Sequence, residues 1–148
     1  MYELLRERVK SITIDGKYSR FSGVKSVLSV VTLKDKNINK PLETYIVPFN
    51  DTPKNLVNDS EGSVEELTSE FGVMFGIQSI NDPTGEKGNE LLEQALNALR
   101  KSLLGYKPGE KQTACTLGKS GLLAMASNGI WWMHRFKTTQ IVESVYDQ

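Results

Sequence analysis

The segment TACTLGKSG (113–121) contains Gly118-Lys119-Ser120, which matches the last three positions of a phosphate-binding P-loop. A P-loop also needs a glycine five positions before Gly118, so that its backbone can wrap around phosphate oxygens, and it must lead from a strand into a helix. Here Thr113 occupies that glycine position, and only 28 residues follow Ser120. We therefore predict that this segment forms a turn or bulge within a β-hairpin and binds no nucleotide.

His134 and Cys115 are the single histidine and the single cysteine of the chain. A thiol and an imidazole can act together as nucleophile and general base, and imidazole is also a common metal ligand. His134, however, lies in an apolar strand pattern beside Trp132, where side chains usually pack in a core. The sequence therefore favours packing roles for both residues and predicts no catalytic residue. A small enzyme that uses His134 and Cys115 stays the alternative.

Three carboxylates, Asp51, Asp59 and Glu61, lie in the polar segment NDTPKNLVNDSEG (50–62). Carboxylates are the usual ligands of hard cations, but these three lack the regular alternation of a calcium-binding loop. A solvated acidic loop is the favoured interpretation, because the segment is rich in turn-forming residues. We predict neither a metal nor a cofactor.

The charge of the chain sums to zero at pH 7, but its distribution along the sequence is uneven. Residues 1–40 hold nine Lys/Arg and four Asp/Glu, residues 41–96 hold two and eleven, and residues 97–148 hold seven and three. Balanced charge argues against nucleic acid as the main partner, since such domains usually carry a basic surplus. The segregation indicates either ordinary solvated surface or faces of opposite sign that suit contact between copies. No apolar run is long enough to span a membrane.

Hydrophobic periodicity predicts two helices. The segment YELLRERVKSI (2–12) has apolar residues at helical spacing, and NELLEQALNALRKSLLG (89–105) carries a continuous leucine stripe that ends at Gly105, a C-terminal cap. Residues 21–33 fit either a helix or a strand, because their apolar spacing suits a helix whereas their β-branched content suits a strand. We favour a short helix there.

The remaining apolar segments predict strands. LETYIVPF (42–49) is rich in β-branched and aromatic residues, and an exposed loop is expected over 50–62. The segment from Ser63 to Ile80 alternates, with Phe71, Val73, Phe75 and Ile77 on one face and Met74 on the other. Its glycines predict a bulge or a close approach by another backbone.

Asn128-Gly129 separates two β-type segments, 114–127 and 130–142, and this dipeptide is a strong hairpin signal. Together these elements predict one α+β domain over residues 1–148. Its sheet is expected to be mixed and mainly antiparallel, with the long helix covering one face and a further helix at the N-terminus. Because strand neighbours point to opposite faces, one of the adjacent Trp131 and Trp132 should face outwards. These aromatics are not interleaved with a basic run, which argues against stacking on single-stranded nucleic acid.

The C-terminal half resembles the tail terminator proteins of bacteriophages and prophages, of the Mu-like type. A helix that ends in a Leu/Gly/aromatic/Pro element is followed in that family by two strands, the second of which carries Trp, Phe and Thr. ETYIVPFN and EFGVMFGIQSINDPTG also resemble the family's earlier strands, so that the similarity covers roughly residues 40–140. The matching positions, which we expect to hold the fold, are Leu104, Gly105, Tyr106, Pro108, Trp131, Trp132, Phe136 and Thr138. In this role the tryptophans are expected to pack beneath the helix.

The resemblance implies a structural protein of the virion rather than an enzyme. Members of this family form a ring, typically of six copies, at the head-proximal end of the tail tube. The ring stops tube polymerisation and presents a surface to the head–tail connector. The implied partners are therefore further copies of the chain, the tail tube protein and a connector or stopper protein, after assembly in the host cytoplasm. Another neck, connector or tube protein of similar build is a rival interpretation.

Contacts with these partners are expected in the segments that are free to reach neighbours, namely the loop 50–62, the turn 81–88 and the loop 105–113. Exposed basic residues at both ends of the chain could meet the acidic middle of an adjacent copy. The candidate contact residues are Asn50, Asp51, Lys54, Asp59, Glu61, Asp82, Lys107 and Lys111.

Overall fold

A computed structural model describes residues 1–14, 20–26, 36–78 and 86–145. Within them five strands form one sheet in the order β1-β2-β3-β5-β4, in which β1 pairs with β2 in parallel and the other pairs are antiparallel. The prediction of an α+β fold with a mixed, mainly antiparallel sheet is confirmed. The elements in chain order are α1 (Tyr2–Lys10), β1 (Ser22–Ser26), β2 (Glu43–Asn58), β3 (Gly62–Gln78), α2 (Glu86–Leu103), β4 (Thr116–Ala126) and β5 (Gly129–Val145).

Both helices contribute to the cluster of buried side chains on one face of the sheet. The helices are 9 and 18 residues long, so the expectation that a single long helix covers this face is not confirmed. Leu5 and Val9 of α1 share the cluster with Leu99 and Leu103 of α2 and with alternate residues of β3. Arg8 joins the helices, because its guanidinium donates two hydrogen bonds, of 3.1 and 3.2 Å, to the carbonyl of Ser102. Neither helix is long and apolar enough to cross a membrane, within the part of the chain that the structure describes.

The alternation predicted for β3 is confirmed. Phe71, Val73, Phe75 and Ile77 belong to the cluster on the helix side. Met74 belongs to a second cluster on the opposite face, together with five further buried residues, Ile38, Tyr45, Val47, Trp131 and Met133. The sheet is therefore buried on both faces over this part of its length.

Residues 36–40, which we call the strap, lie against the second face. The carbonyl of Ile38 accepts hydrogen bonds from Gln78 Nε2 (3.0 Å) and Asn128 Nδ2 (2.7 Å), and Asn128 Oδ1 accepts one from the Ile38 N–H (3.0 Å). The indole of Trp131 donates a further hydrogen bond of 2.8 Å to the carbonyl of Lys36. These bonds hold the Ile38 side chain over the second cluster.

Three sequence-based predictions are corrected here. Residues 22–26, expected in a short helix, form β1 instead, because pairing with β2 satisfies their backbone; residues 27–35 lie outside the described residues. The loop expected over 50–62 is antiparallel pairing between β2 and β3, with a register shift between Asn55 and Val57 and with residues 59–61 as a turn. The tryptophans do not both pack beneath the helix, since Trp131 is buried on the strap side and Trp132 is half-buried on the helix side.

A close approach is present at the glycines of β3, but side chains make it and not another backbone. A Cβ atom on Gly72 would meet the sulfur of Met133 and the ring of Phe49, the latter at 2.7 Å. A Cβ on Gly76 would lie 2.7 Å from a carbon of Ile38 in the strap. At both positions a neighbouring side chain would have to shift to admit a methyl group, so the glycines favour this packing. The bulge predicted at Gly118-Lys119 is also present, as a register shift between Leu117 and Ser120.

We expect Gly72→Ala to lower the free energy of unfolding by about 1–3 kcal/mol, because the new methyl group overpacks the second face. Gly121→Ala is the matched control, since a Cβ there meets nothing within 4 Å. Its effect should be neutral or slightly stabilising. Urea denaturation of both variants and the parent chain measures the difference. Equal midpoints for the two variants would contradict the packing assigned to Gly72.

We also expect Asn128→Ala to destabilise the fold by about 1–3 kcal/mol, because it leaves the N–H and the carbonyl of Ile38 without this partner. Asn39→Ala, at an exposed asparagine of the strap, is the control and should have little effect. Urea denaturation is again the measurement, with Trp131 as a fluorescent reporter of the strap side. A similar loss in both variants would show that the strap is not held through Asn128.

Candidate assembly surface

The P-loop-like residues lie in the middle of a strand, not at the start of a helix. Gly118, Lys119 and Ser120 are part of β4, which continues to Ala126 and turns into β5. The hydroxyl of Ser120 accepts a hydrogen bond of 2.8 Å from the indole of Trp132. No helix N-terminus follows this segment, so the geometry that would hold a phosphate is not formed here.

Cys115 and His134 are both buried, and different groups surround the thiol and the imidazole. Burial raises the pKa of the Cys115 thiol to about 11, so the thiol is protonated at neutral pH. His134 Nε2 accepts a hydrogen bond of 3.0 Å from Arg100, and its Nδ1 lies 2.9 Å from the carbonyl of Arg135. The imidazole also stacks on the ring of Phe136, with centroids 4.5 Å apart. One ring nitrogen thus contacts the Arg100 side chain, and the other contacts the backbone carbonyl of Arg135. These contacts hold the imidazole within the packed interior.

The pKa of His134 is lowered, chiefly because burial penalises the imidazolium form and also because the nearby Arg100 guanidinium repels it. The hydrogen bond to the carbonyl of Arg135 acts in the opposite direction. A neutral ring with the proton on Nδ1 satisfies all of these contacts. Nδ1–H then donates to the Arg135 carbonyl and Nε2 accepts from Arg100.

The acidic residues of 50–62 have structural partners rather than a common centre. Asp51 Oδ1 accepts a hydrogen bond of 2.7 Å from Ser69, and Asp59 Oδ1 accepts bonds of 2.9 and 3.2 Å from the backbone N–H groups of Glu61 and Gly62. Asp59 therefore shapes the turn between β2 and β3. Among the described residues no group of three or more His, Cys, Asp or Glu side chains could hold a metal ion.

The residues of the Leu/Gly/aromatic/Pro element hold the exit from α2. Gly105 has a φ of +84°, the left-handed conformation that favours glycine after a helix. Its N–H donates to the carbonyl of Cys115 (3.0 Å), and the carbonyl of Tyr106 accepts from the N–H of Cys115 (2.8 Å). The guanidinium of Arg8 lies 4.7 Å from the centre of the Tyr106 ring, and Pro108 is buried. Leu104, by contrast, is 55% exposed.

The second part of the motif lies on β5. Phe136 stacks on Phe71 with ring centroids 5.6 Å apart. The hydroxyl of Thr138 donates a hydrogen bond of 2.6 Å to the carbonyl of Thr113, and the N–H of Thr113 donates one of 2.7 Å to the carbonyl of Thr139. These bonds fasten the segment after α2 to β5. The exposed Lys107 and Lys111 belong to that segment, so they are held beside this strand.

About half of the β2–β3 hairpin extends beyond the core. We call residues 50–70 the arm; residues 50–61 are exposed, and Ser69 is the one buried side chain in it. β5 pairs with the arm along its whole length, up to Gly62 opposite Val145. Nine strand residues on the β2 side correspond to a projection of about 30 Å.

The arm is acidic, and its tip exposes apolar side chains. It contains six Asp/Glu and one Lys, and one of the acids, Glu70, forms an ion pair of 3.1 Å with Arg135. Leu56 and Val57, next to the turn, are 44% and 47% exposed. Asn50, Asp51, Lys54, Asp59 and Glu61, proposed as contact residues, all lie on this arm, whereas Asp82 lies outside the described residues.

β4 carries an exposed apolar surface at the end of the sheet. Leu117, Leu122 and Met125 lie opposite Phe136, Trp132 and Ile130 of β5, so they share the helix side of the sheet. We call these three residues the β4 stripe. They are 44%, 55% and 64% exposed, because the buried helix residues cluster over the neighbouring strands and not over β4.

Sequence reasoning did not identify the β4 stripe. The segment 114–127 is predicted only as one strand of a hairpin, and the two register shifts in β4 make its side-chain alternation irregular. A signal was nevertheless present, because residues 121–126 of this strand carry no charge, and an edge strand without charged side chains leaves its apolar residues uncovered.

We expect the free energy of unfolding to fall with pH below about 6.5, the ordinary pKa of histidine, in a way that depends on His134. The unfolded chain binds a proton there while the folded chain, with its lowered pKa, does not, so acid favours unfolding until the folded pKa is passed. His134→Gln cannot be protonated, and its stability should fall less between pH 7.5 and 5.5. Urea denaturation at both pH values is the measurement. Parallel losses in parent and variant would contradict the assignment of a neutral His134.

Comparison with known proteins adds one finding. The family model described as "Phage tail terminator protein" matches residues 3–147, nearly the whole chain. The match includes α1 and β1, where the resemblance read from the sequence was loose. No curated protein matches the sequence.

Proposed function

The chain belongs to the phage tail terminator family, and from this premise we propose that its copies close into a ring that caps the tail tube. The family is one of structural proteins of phage tail assembly, and the chain is thus a component of the virion. The proposed ring, typically of six copies, lies at the head-proximal end of the tube. It stops tube polymerisation and presents the surface to which the head–tail connector joins.

The arm is the observation that best supports a ring. A two-stranded extension is only marginally stable in water without a further strand or a covering surface. Here β5 supplies the third strand, yet both sides of the arm stay largely uncovered, and Leu56 and Val57 remain exposed at its tip. Such a projection is useful in an assembly, where it reaches a neighbouring copy.

The distribution of charge supports contact between unlike surfaces of neighbouring copies. The arm carries six acids and one lysine, whereas residues 111–142 contain four Lys/Arg and no Asp/Glu. A ring is closed by heterologous contacts, in which one surface of a copy meets a different surface of the next. Opposite charge on the two surfaces would fix the orientation of each contact and disfavour pairing of like surfaces.

Capping follows from an asymmetry between the two ends of such a ring. One end matches the last ring of the tail tube protein and binds it. The other end lacks the docking surface that tube rings offer to each other, and so no further tube protein adds there. The connector or stopper protein binds this second end. The lysines of the segment after α2, Lys107 and Lys111, are exposed and are available to either partner.

We expect deletion of the gene from its phage or prophage to yield overlong, headless tails or polytubes, because tube growth is then unchecked. Electron microscopy of induced lysates is the measurement, with the distribution of tail lengths as the readout. Complementation with the parent chain, and with the Gly121→Ala variant as a folded control, should restore tails of uniform length.

Other outcomes separate the rival functions. Headless tails of normal length would place the protein in the connector, and absence of any tube would place it among the tube components. Normal infectious particles in the deletion strain would overturn the proposal.

A further inference from the structure

We propose that the tip of the arm of one copy docks on the β4 stripe of a second copy. Leu56 and Val57 of the tip are then covered by Leu117, Leu122 and Met125, and the acids of the turn lie against Lys119 of β4. The inference rests on the proposed function in one respect only, that copies of the chain associate.

The β4 stripe has the properties of a docking surface for a small apolar projection. Its three side chains continue the apolar surface of Trp132 and Ile130, which are themselves only partly buried. Scattered exposed apolar residues need no explanation, but Leu122 and Met125 lie opposite successive residues on one face of β5 and form a continuous apolar surface with them, which marks an interaction site; Ser120, opposite His134, separates them from Leu117. The stripe lies at the edge of the sheet, where β4 has no second neighbour among the described strands.

The form of β4 favours docking onto its face rather than addition of a strand to its edge. Register shifts interrupt the strand at Gly118-Lys119 and at Leu123, and Lys119 is exposed. Bulges and lysines are the devices by which proteins prevent continuous pairing at an open edge. A compact tip that presents two apolar side chains avoids both obstacles.

Charge selects the arm as the occupant. Glu61 and Asp59 flank the apolar residues of the tip, and Lys119 of β4 lies between Leu117 and Leu122 of the stripe along the chain; these three charged residues are exposed. Lys137 faces the other side of the sheet, because it is the neighbour of Phe136 on β5, and it lies opposite Glu70 of β3. No Asp or Glu occurs between Glu110 and Glu143, so β4 itself carries no carboxylate that would oppose an acidic partner.

The stripe cannot be covered by the tip of the same chain. Asn58 pairs with Ser63, which pairs with Ser144 of β5, whereas Leu122 lies opposite Trp132. Twelve residues of one strand separate these positions, which corresponds to about 40 Å. The contact must therefore form between copies, and because its two surfaces differ, it is heterologous and can close into a ring.

The test is a disulfide trap with the double variant Val57→Cys/Leu122→Cys. The separation of about 40 Å along β5 excludes a bond within one chain, since bonded cysteines have Cα atoms within about 7 Å. The native Cys115 is buried and protonated, so it does not compete. The variant is supplied to the deletion strain, tails are purified and oxidised, and the protein is analysed on non-reducing gels.

We expect a ladder of covalent oligomers that ends at the size of the closed ring, and its collapse to one band after reduction. The control Val57→Cys/Leu4→Cys moves the second cysteine to α1, at a leucine that is 47% exposed, and should stay monomeric. Monomer from the first variant in tails of normal length would overturn the docking while leaving the cap intact. An equally strong ladder from the control would overturn it as well.

Failure of the proposed function is distinguishable, because it appears as normal tails in the deletion strain itself. In that case the same oxidation is carried out on the concentrated purified variant, where a monomer overturns the docking independently.

Charge reversal provides a second test in either setting. Lys119→Glu and Glu61→Lys should each lower the disulfide-trapped fraction up to about fivefold. A variant that carries both substitutions again pairs opposite charges, and it should restore the trapped fraction. Failure to restore it would contradict the assigned pairing.

Discussion

The pairing of β3 with β5 is the constraint on which the rest of the structure depends. The two strands pair over 17 residues each, from Gly62 opposite Val145 to Gln78 opposite Gly129, without a register shift. A slip of one residue would turn every side chain to the opposite face of the sheet. The buried rows on both faces, the length of the arm and the position of β4 all follow from this register.

The two faces of the sheet are buried by different means. On the helix side, α1 and α2 cover the row that Phe71, Val73 and Phe75 form on β3. On the other side no helix of the described residues packs on the sheet, and Ile38 of the strap covers Met74 and Trp131. That arrangement works because Gly72 and Gly76 bring the neighbouring side chains and the strap close to the sheet, and because Asn128 satisfies the backbone of Ile38.

The sequence was sufficient to predict the elements that bury a regular apolar pattern. The leucine stripe of α2 with its Gly105 cap, the alternation of β3 and the hairpin at Asn128-Gly129 are each a local signal that tertiary contacts reinforce. The sequence was insufficient where strand pairing decides the structure of a segment whose composition is typical of a different structure. The arm has the Asn, Asp and Pro content of a loop, yet its backbone is satisfied by β3 and β5, so its side chains were free to stay polar. Ser22–Ser26 is a strand because it pairs with β2, and no local sequence pattern predicts that pairing.

The same reasoning explains why the candidate assembly surface was found only in part. The acidic residues of 50–62 were recognised as contact candidates, but as members of a loop they had no defined direction. As strand residues on a three-stranded projection they have one, since the register with β5 holds the tip about 40 Å from the β4 stripe. A rigid acidic projection at one end of a molecule and an apolar, basic edge elsewhere cannot satisfy each other within one chain. Association between copies is the arrangement that we propose, because it would cover both surfaces.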